Sequence, residues 1–95
     1  MGYNGWSNYE TWDVALWINN GSDTHEERCR LARRARHQYA LAEDLRAWVL
    51  AMMPDLGASM FTDLLWAAIG KVNWDELASH WYTEAHEDEE DDNEP

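Results

Sequence analysis

Residues 7–21 read SNYETWDVALWINNG and hold both a start signal and a stop signal for an α-helix. Ser7 and Glu10 have the S-x-x-E spacing of a capping box, in which each side chain accepts a hydrogen bond from a free backbone amide. Asn20 is followed by Gly21, and glycine tolerates the left-handed conformation that commonly ends a helix. The pattern predicts a helix from Ser7 to about Asn19.

This first helix carries apolar side chains on most of its sides. A helix of this kind is typically buried on several sides, so we expect it near the centre of the fold. In that position the carboxylates of Glu10 and Asp13 would need partners, because an unpaired buried charge is costly. The apolar side chains are Tyr9, Trp12, Val14, Leu16, Trp17 and Ile18.

A second helical pattern runs from about residue 24 to residue 53. Thirty residues of α-helix would span about 45 Å, which is too long for so small a domain. We therefore predict two helices with a break near residues 37–41, although no Gly or Pro marks the break.

Two shorter helices complete the chain. Ser59 is a suitable N-cap for a helix over residues 60–69. Asn73 and Glu76 repeat the capping-box spacing before an amphipathic helix over residues 74–84.

The predicted fold class is all-α, a compact bundle of four to five helices with an aromatic-rich core. Seven Trp, four Tyr and one Phe supply large rings for that core. Residues 1–85 are predicted to form the helical domain. Residues 86–95 are predicted to form a disordered acidic tail, because this run has no apolar group to offset the entropy lost on ordering.

The net charge of −12 is concentrated at the C-terminal end. Residues 84–95 carry eight acidic side chains and no Lys or Arg. The other 83 residues carry 11 acidic and 7 basic side chains, a net charge of −4. An inference about partners therefore has to treat the body and the tail separately.

No apolar run approaches the length of about 18 residues that a membrane-spanning helix needs, and the N-terminus lacks the pattern of a signal peptide. The single Cys29 has no second cysteine with which to form an intramolecular disulfide. Both features favour a cytoplasmic protein in a reducing compartment.

Two segments carry a family resemblance. Residues 8–12 read NYETW, and residues 72–78 read VNWDELA. The chain resembles a family of small proteins encoded by bacteriophages, plasmids and some archaeal and cyanobacterial genomes, although that family has Asn where this chain has Asp13. The resemblance implies a mobile-element origin and favours a role in host interaction. It brings no enzymatic activity, cofactor or catalytic residue.

The segment around the NYETW string has two interpretations. As a binding surface, Glu10, Asp13 and Trp17 would contact a protein partner, because exposed Trp is a common interface anchor. As a structural element, it would be a capped and buried helix. The tail adds Glu87, Asp88, Glu89 and Glu90 as candidate partner contacts. A tail that only solubilises the protein is the alternative.

Five arginines fall within residues 28–36. Arg30, Arg33 and Arg34 share one side of the predicted helix and could bind nucleic-acid phosphates. Two other interpretations remain open. The arginines could pair with Glu26 and Glu27 on a solvated face, or the acidic tail could fold over them.

No catalytic or metal-binding pattern is evident. His25 and Cys29 have helical i, i+4 spacing, but no recognisable four-ligand set accompanies them. We expect no cofactor, no metal and no enzymatic activity. A small bundle with a filled aromatic core is also expected to lack a cleft of about 300 Å³ or more.

The leading hypothesis is a small phage or mobile-element accessory protein that binds a host protein or protein complex. It would inhibit a host defence or regulatory complex, with the acidic residues as a nucleic-acid mimic. The alternative is a small nucleic-acid-binding module that uses the Arg-rich helix.

Overall fold

The structure is a computed structural model that describes Tyr3 and residues 5–87. Within this part of the chain the regular elements are five helices, so the prediction of an all-α bundle of four to five helices is confirmed. The helices are α1 (Tyr9–Asn20), α2 (Ser22–Arg34), α3 (Gln38–Ala51), α4 (Met60–Ile69) and α5 (Trp74–Ala85). None of the described helices is long and apolar enough to span a membrane.

Four helices begin at side chains that accept a hydrogen bond from a backbone amide of the first turn. The N-caps are Asn8, His37, Ser59 and Asn73. Ser59 and Asn73 confirm the sequence prediction. The prediction that Ser7 caps α1 is wrong, because Asn8, one residue later, accepts from the Thr11 amide.

The break between α2 and α3 falls at residues 35–37, slightly before the predicted position. His37 explains how a helix can restart there without Gly or Pro. Its extended backbone and its ring Nδ1, which accepts from the Ala40 amide at 3.2 Å, form an N-cap. Histidine is not among the preferred capping residues, so this signal was missed.

Helix α5 forms the centre of the bundle, since it packs against α3, α2 and α1. Leu77, Ala78 and Trp81 are its buried face. The buried core is otherwise built of Leu, Ile, Val and Ala, and the partly buried side chains of Trp6, Trp48, Trp74 and Tyr82 pack against it.

The expectation that α1 lies near the centre is wrong. Helix α1 buries one face only, through Thr11, Ala15 and Ile18. Tyr9 and Trp17 are exposed. The apolar side chains on its other sides therefore face solvent or the space beside α4.

Helix α4 stands apart from the bundle. Its backbone does not pack closely against any of the other four described helices, and none of its residues is buried. Met60, Phe61, Leu64 and Trp66 are exposed on it. An apolar helix without a buried face is the least expected feature of the fold.

Candidate functional site

The NYETW string contributes to a structural contact, which we call the N-terminal clasp. Asn8 accepts from the Thr11 amide through Oδ1 at 2.9 Å and donates from Nδ2 to the Lys71 carbonyl at 2.7 Å. The Thr11 side chain is fully buried, and its Oγ1 accepts from the Asn73 amide at 2.8 Å. The start of α1 is thereby joined to the start of α5.

Ser7 and Glu76 complete the clasp. The Ser7 hydroxyl donates to Glu76 Oε1 at 2.7 Å, and the Ser7 amide donates to the same carboxylate. The capping box predicted for Ser7 and Glu10 is therefore wrong, because Ser7 bonds to Glu76. The box predicted for Asn73 and Glu76 is half confirmed: Asn73 Oδ1 accepts from the Glu76 amide at 3.0 Å, but the Glu76 carboxylate bonds to Ser7 and not to the Asn73 amide. The reason is tertiary: the two helix starts lie side by side, and the Glu76 carboxylate bridges them.

Glu10 takes no part in capping and instead lines a large apolar cleft of about 810 Å³. The cleft lies between one face of α1, the C-terminal end of α3 and the inner side of α4. The expectation that the bundle lacks a cleft of about 300 Å³ or more is therefore wrong. The cleft exists because α4 does not pack closely against the other helices. Its lining consists of Tyr9, Glu10, Asp13, Val14, Trp17, Val49, Met52, Met53, Pro54, Leu65, Ala68, Ile69 and Val72.

The structure brings together three of the predicted partner-binding residues at this cleft, namely Glu10, Asp13 and Trp17. Glu10 and Asp13 are half-buried and lie one helical turn apart, and neither forms a hydrogen bond or ion pair with another described residue. Trp17 leaves 69% of its surface exposed at the same cleft. The arrangement is an apolar groove with two unpaired carboxylates and one open aromatic ring.

Sequence reasoning missed the contribution of α4. Leu64 lies four residues after Met60 and three after Phe61, so it neighbours both on the helix surface, and each of the three has about 60% or more of its surface exposed. We call these three residues the α4 ridge. The available signal was that apolar residues occupy most of the α4 circumference, which is more than one buried face requires.

The arginines of residues 28–36 differ in burial and in their partners. Arg30 donates from Nε and Nη2 to the Glu27 carboxylate, at 3.0 and 2.6 Å. This hydrogen-bonded pair lowers the pKa of Glu27 and raises the pKa of Arg30. The sequence predicts pairing of Glu26 with Arg30 and of Glu27 on the side of Arg34, whereas the structure pairs Glu27 with Arg30. Arg33 and Arg34 are exposed, and the charge of Arg34 adds to the lowering of the pKa of Glu27.

Arg28 is a core residue, with only 4% of its surface exposed. Its guanidinium lies 4.8 Å from the Trp81 ring and 3.4 Å from Glu84 Oε1. Its Nη2 lies 3.2 Å from His25 Nε2, while its buried Nε has no hydrogen-bond partner among the described residues. His25 therefore faces an arginine. Within residues 3–87 as described, no three His, Cys, Asp or Glu side chains gather as a metal site.

The tail residues are only partly visible. Glu87 is exposed at the end of the described chain. Asp88, Glu89 and Glu90, together with the predicted disorder of the acidic tail beyond Glu87, lie outside the described residues. The tail contacts therefore stay predictions.

Comparison with curated proteins and with solved structures gives no match. A family model does match, over residues 1–91, and its description is "Family of unknown function (DUF7249)". Because the match covers nearly the whole chain of 95 residues, the protein belongs to this family.

Proposed function

We propose that this protein is a protein-binding module whose cleft accepts an amphipathic helix of a partner protein. The observation that carries the proposal is the open apolar cleft between α1, α3 and α4, with Trp17 exposed at its edge. Binding of a helix in an apolar groove is a common recognition mode, in which side chains at i, i+3, i+4 and i+7 fill the groove.

The two unpaired carboxylates define the chemistry of that helix. Among the described residues that line the cleft none is basic, while Glu10 and Asp13 contribute two negative charges. A partner helix with Lys or Arg beside its apolar face would place cations next to these carboxylates. The net charge of −12 would also speed the approach of a basic partner.

In this proposal the protein is an accessory protein of a phage or mobile element that acts in the host cytoplasm. It antagonises a host defence or regulatory complex by occupying the site of one of its helices. The resemblance carried by residues 8–12 and 72–78 supports the origin. The density of carboxylates from Glu87 to Glu90 supports an additional role as a nucleic-acid mimic. Such a run is attracted to the basic groove with which a host protein binds nucleic acid.

The test uses two synthetic amphipathic helical peptides, one with Lys and one with Glu beside the same leucine face. Calorimetry is expected to show that the Lys peptide binds and the Glu peptide does not. Combining Glu10→Gln with Asp13→Asn should weaken binding about tenfold, equivalent to about 1.4 kcal/mol. The matched control combines Glu43→Gln with Asp44→Asn, which removes two charges from α3 away from the cleft.

The same variants then serve in affinity capture from a host lysate. The expected partner is a protein that wild type and control retain and that Trp17→Ala loses. Equal binding of the Lys peptide by the cleft variant and the control would overturn the proposal, as would a captured set of proteins that no cleft variant changes.

A further inference from the structure

The chain carries both halves of a ridge-and-groove contact. The cleft of about 810 Å³ has room for several apolar side chains. The α4 ridge (Met60, Phe61 and Leu64) presents three such side chains. The single charged residue of α4 is Asp63, which is exposed three residues after Met60. The ridge is therefore an apolar surface that would fit a cleft of this kind.

Several large apolar side chains are exposed around the cleft and along α4. Large side chains exposed at the cleft, on the α4 ridge and in the segment that joins α3 to α4 present roughly 800 Å² together, given the sizes of such side chains. This area is comparable with the roughly 800 Å² that each partner buries in a stable dimer. The side chains are Tyr9, Trp17, Met52, Leu56, Met60, Phe61 and Leu64.

We propose that a second copy of this chain covers the cleft in the absence of a partner. The α4 ridge of each copy enters the cleft of the other. The dimer therefore contains two identical ridge-in-cleft contacts, related by a two-fold axis. A two-fold interface of this type requires a self-complementary surface, and the ridge and the cleft together form one.

The proposal rests on the proposed function, because the dimer and the partner helix occupy the same cleft. The two occupants differ in charge. The α4 ridge brings apolar side chains but no basic residue to Glu10 and Asp13, since Lys71, the nearest basic residue along the chain, lies beyond the helix end. A basic amphipathic helix satisfies both the apolar cleft and the carboxylates, so it displaces the second copy.

Cysteine cross-linking tests the ridge-in-cleft contact. One chain carries Leu64→Cys and the other carries Met52→Cys, both with Cys29→Ser, and the mixture is oxidised. A disulfide between the two different chains, identified by mass spectrometry, is the expected result. The control mixture pairs Leu64→Cys with Tyr39→Cys, because Tyr39 is more exposed than Met52, at 66% against 50%, but lies outside the cleft. Equal cross-linking in both mixtures would overturn the proposal.

Sedimentation equilibrium of the purified full chain provides the second measurement. Phe61→Glu should raise the dimer dissociation constant at least tenfold, and Tyr39→Glu should leave it unchanged. Met60→Glu repeats the test if circular dichroism shows that Phe61→Glu has unfolded. A wild-type chain that stays monomeric at the highest soluble concentration would overturn the dimer. Since both measurements use the chain alone, failure of the dimer remains distinguishable from failure of partner binding.

Discussion

The hydroxyl of Thr11 forms one of the hydrogen bonds that join the starts of α1 and α5. It is fully buried, and its oxygen receives the backbone amide of Asn73 at the start of α5. Because Asn73 is itself an exposed residue, the bond is expected to contribute the net amount of an ordinary hydrogen bond, about 0.5–1.5 kcal/mol. Thr11 therefore contributes to the fold through a single hydrogen bond between segments that lie 62 residues apart.

We expect Thr11→Val to lower the free energy of unfolding by about 0.5–1.5 kcal/mol, because valine has nearly the same shape but no acceptor. Urea denaturation followed by circular dichroism measures the change. Thr83→Val on the exposed side of α5 is the matched control and should stay within about 0.5 kcal/mol of wild type. Equal effects of the two substitutions would show that the clasp does not stabilise the fold.

Residue types at helix starts were partly predictable from the sequence. Ser59 and Asn73 act as N-caps where the sequence predicts them, since capping depends on three or four neighbouring residues. The partners of Ser7 and Glu76 were not predictable, because they depend on two helix starts meeting in space. The sequence does predict Glu10 and Asp13 as candidate contact residues. It does not predict the cleft that they line, because the cleft depends on how α1, α3 and α4 lie in space.

At the scale of elements, α4 and α5 show that apolar content alone does not decide burial. Helix α5 concentrates its apolar residues on one stripe, and the structure buries Leu77, Ala78 and Trp81 from that stripe. Helix α4 has apolar residues around most of its circumference and buries none of them. The stripe of α5 indicates its packing direction, whereas the pattern of α4 leaves its packing partner unspecified.

We expect Phe61→Ala and Leu64→Ala to change the free energy of unfolding of the monomer by less than about 0.5 kcal/mol. Leu45→Ala, at a side chain with no exposed surface, should cost about 2–5 kcal/mol because it leaves a cavity in the core. Chemical denaturation at low protein concentration measures the monomer. A cost above about 2 kcal/mol for Phe61→Ala would mean that α4 folds onto the body of the same chain.

At the scale of the whole molecule, charge opposes self-association and favours a basic partner. Two copies of the chain bring together two net charges of −12. Salt would screen the repulsion between these two charges. It would not weaken the contact proposed between the copies, because that contact is apolar. A complex with a basic helix depends in part on attraction between opposite charges, which the same salt weakens.

We therefore expect salt to change the two associations in opposite directions. Raising sodium chloride from about 50 mM to about 500 mM shortens the distance over which charges interact from above 10 Å to below 8 Å. Sedimentation equilibrium should show a stronger dimer over this range, and calorimetry should show weaker binding of the Lys peptide. Phe61→Glu, which should stay monomeric throughout, controls for non-specific association at high salt. Weakening of the dimer by salt would instead assign its contact to ion pairs, which the apolar α4 ridge does not provide.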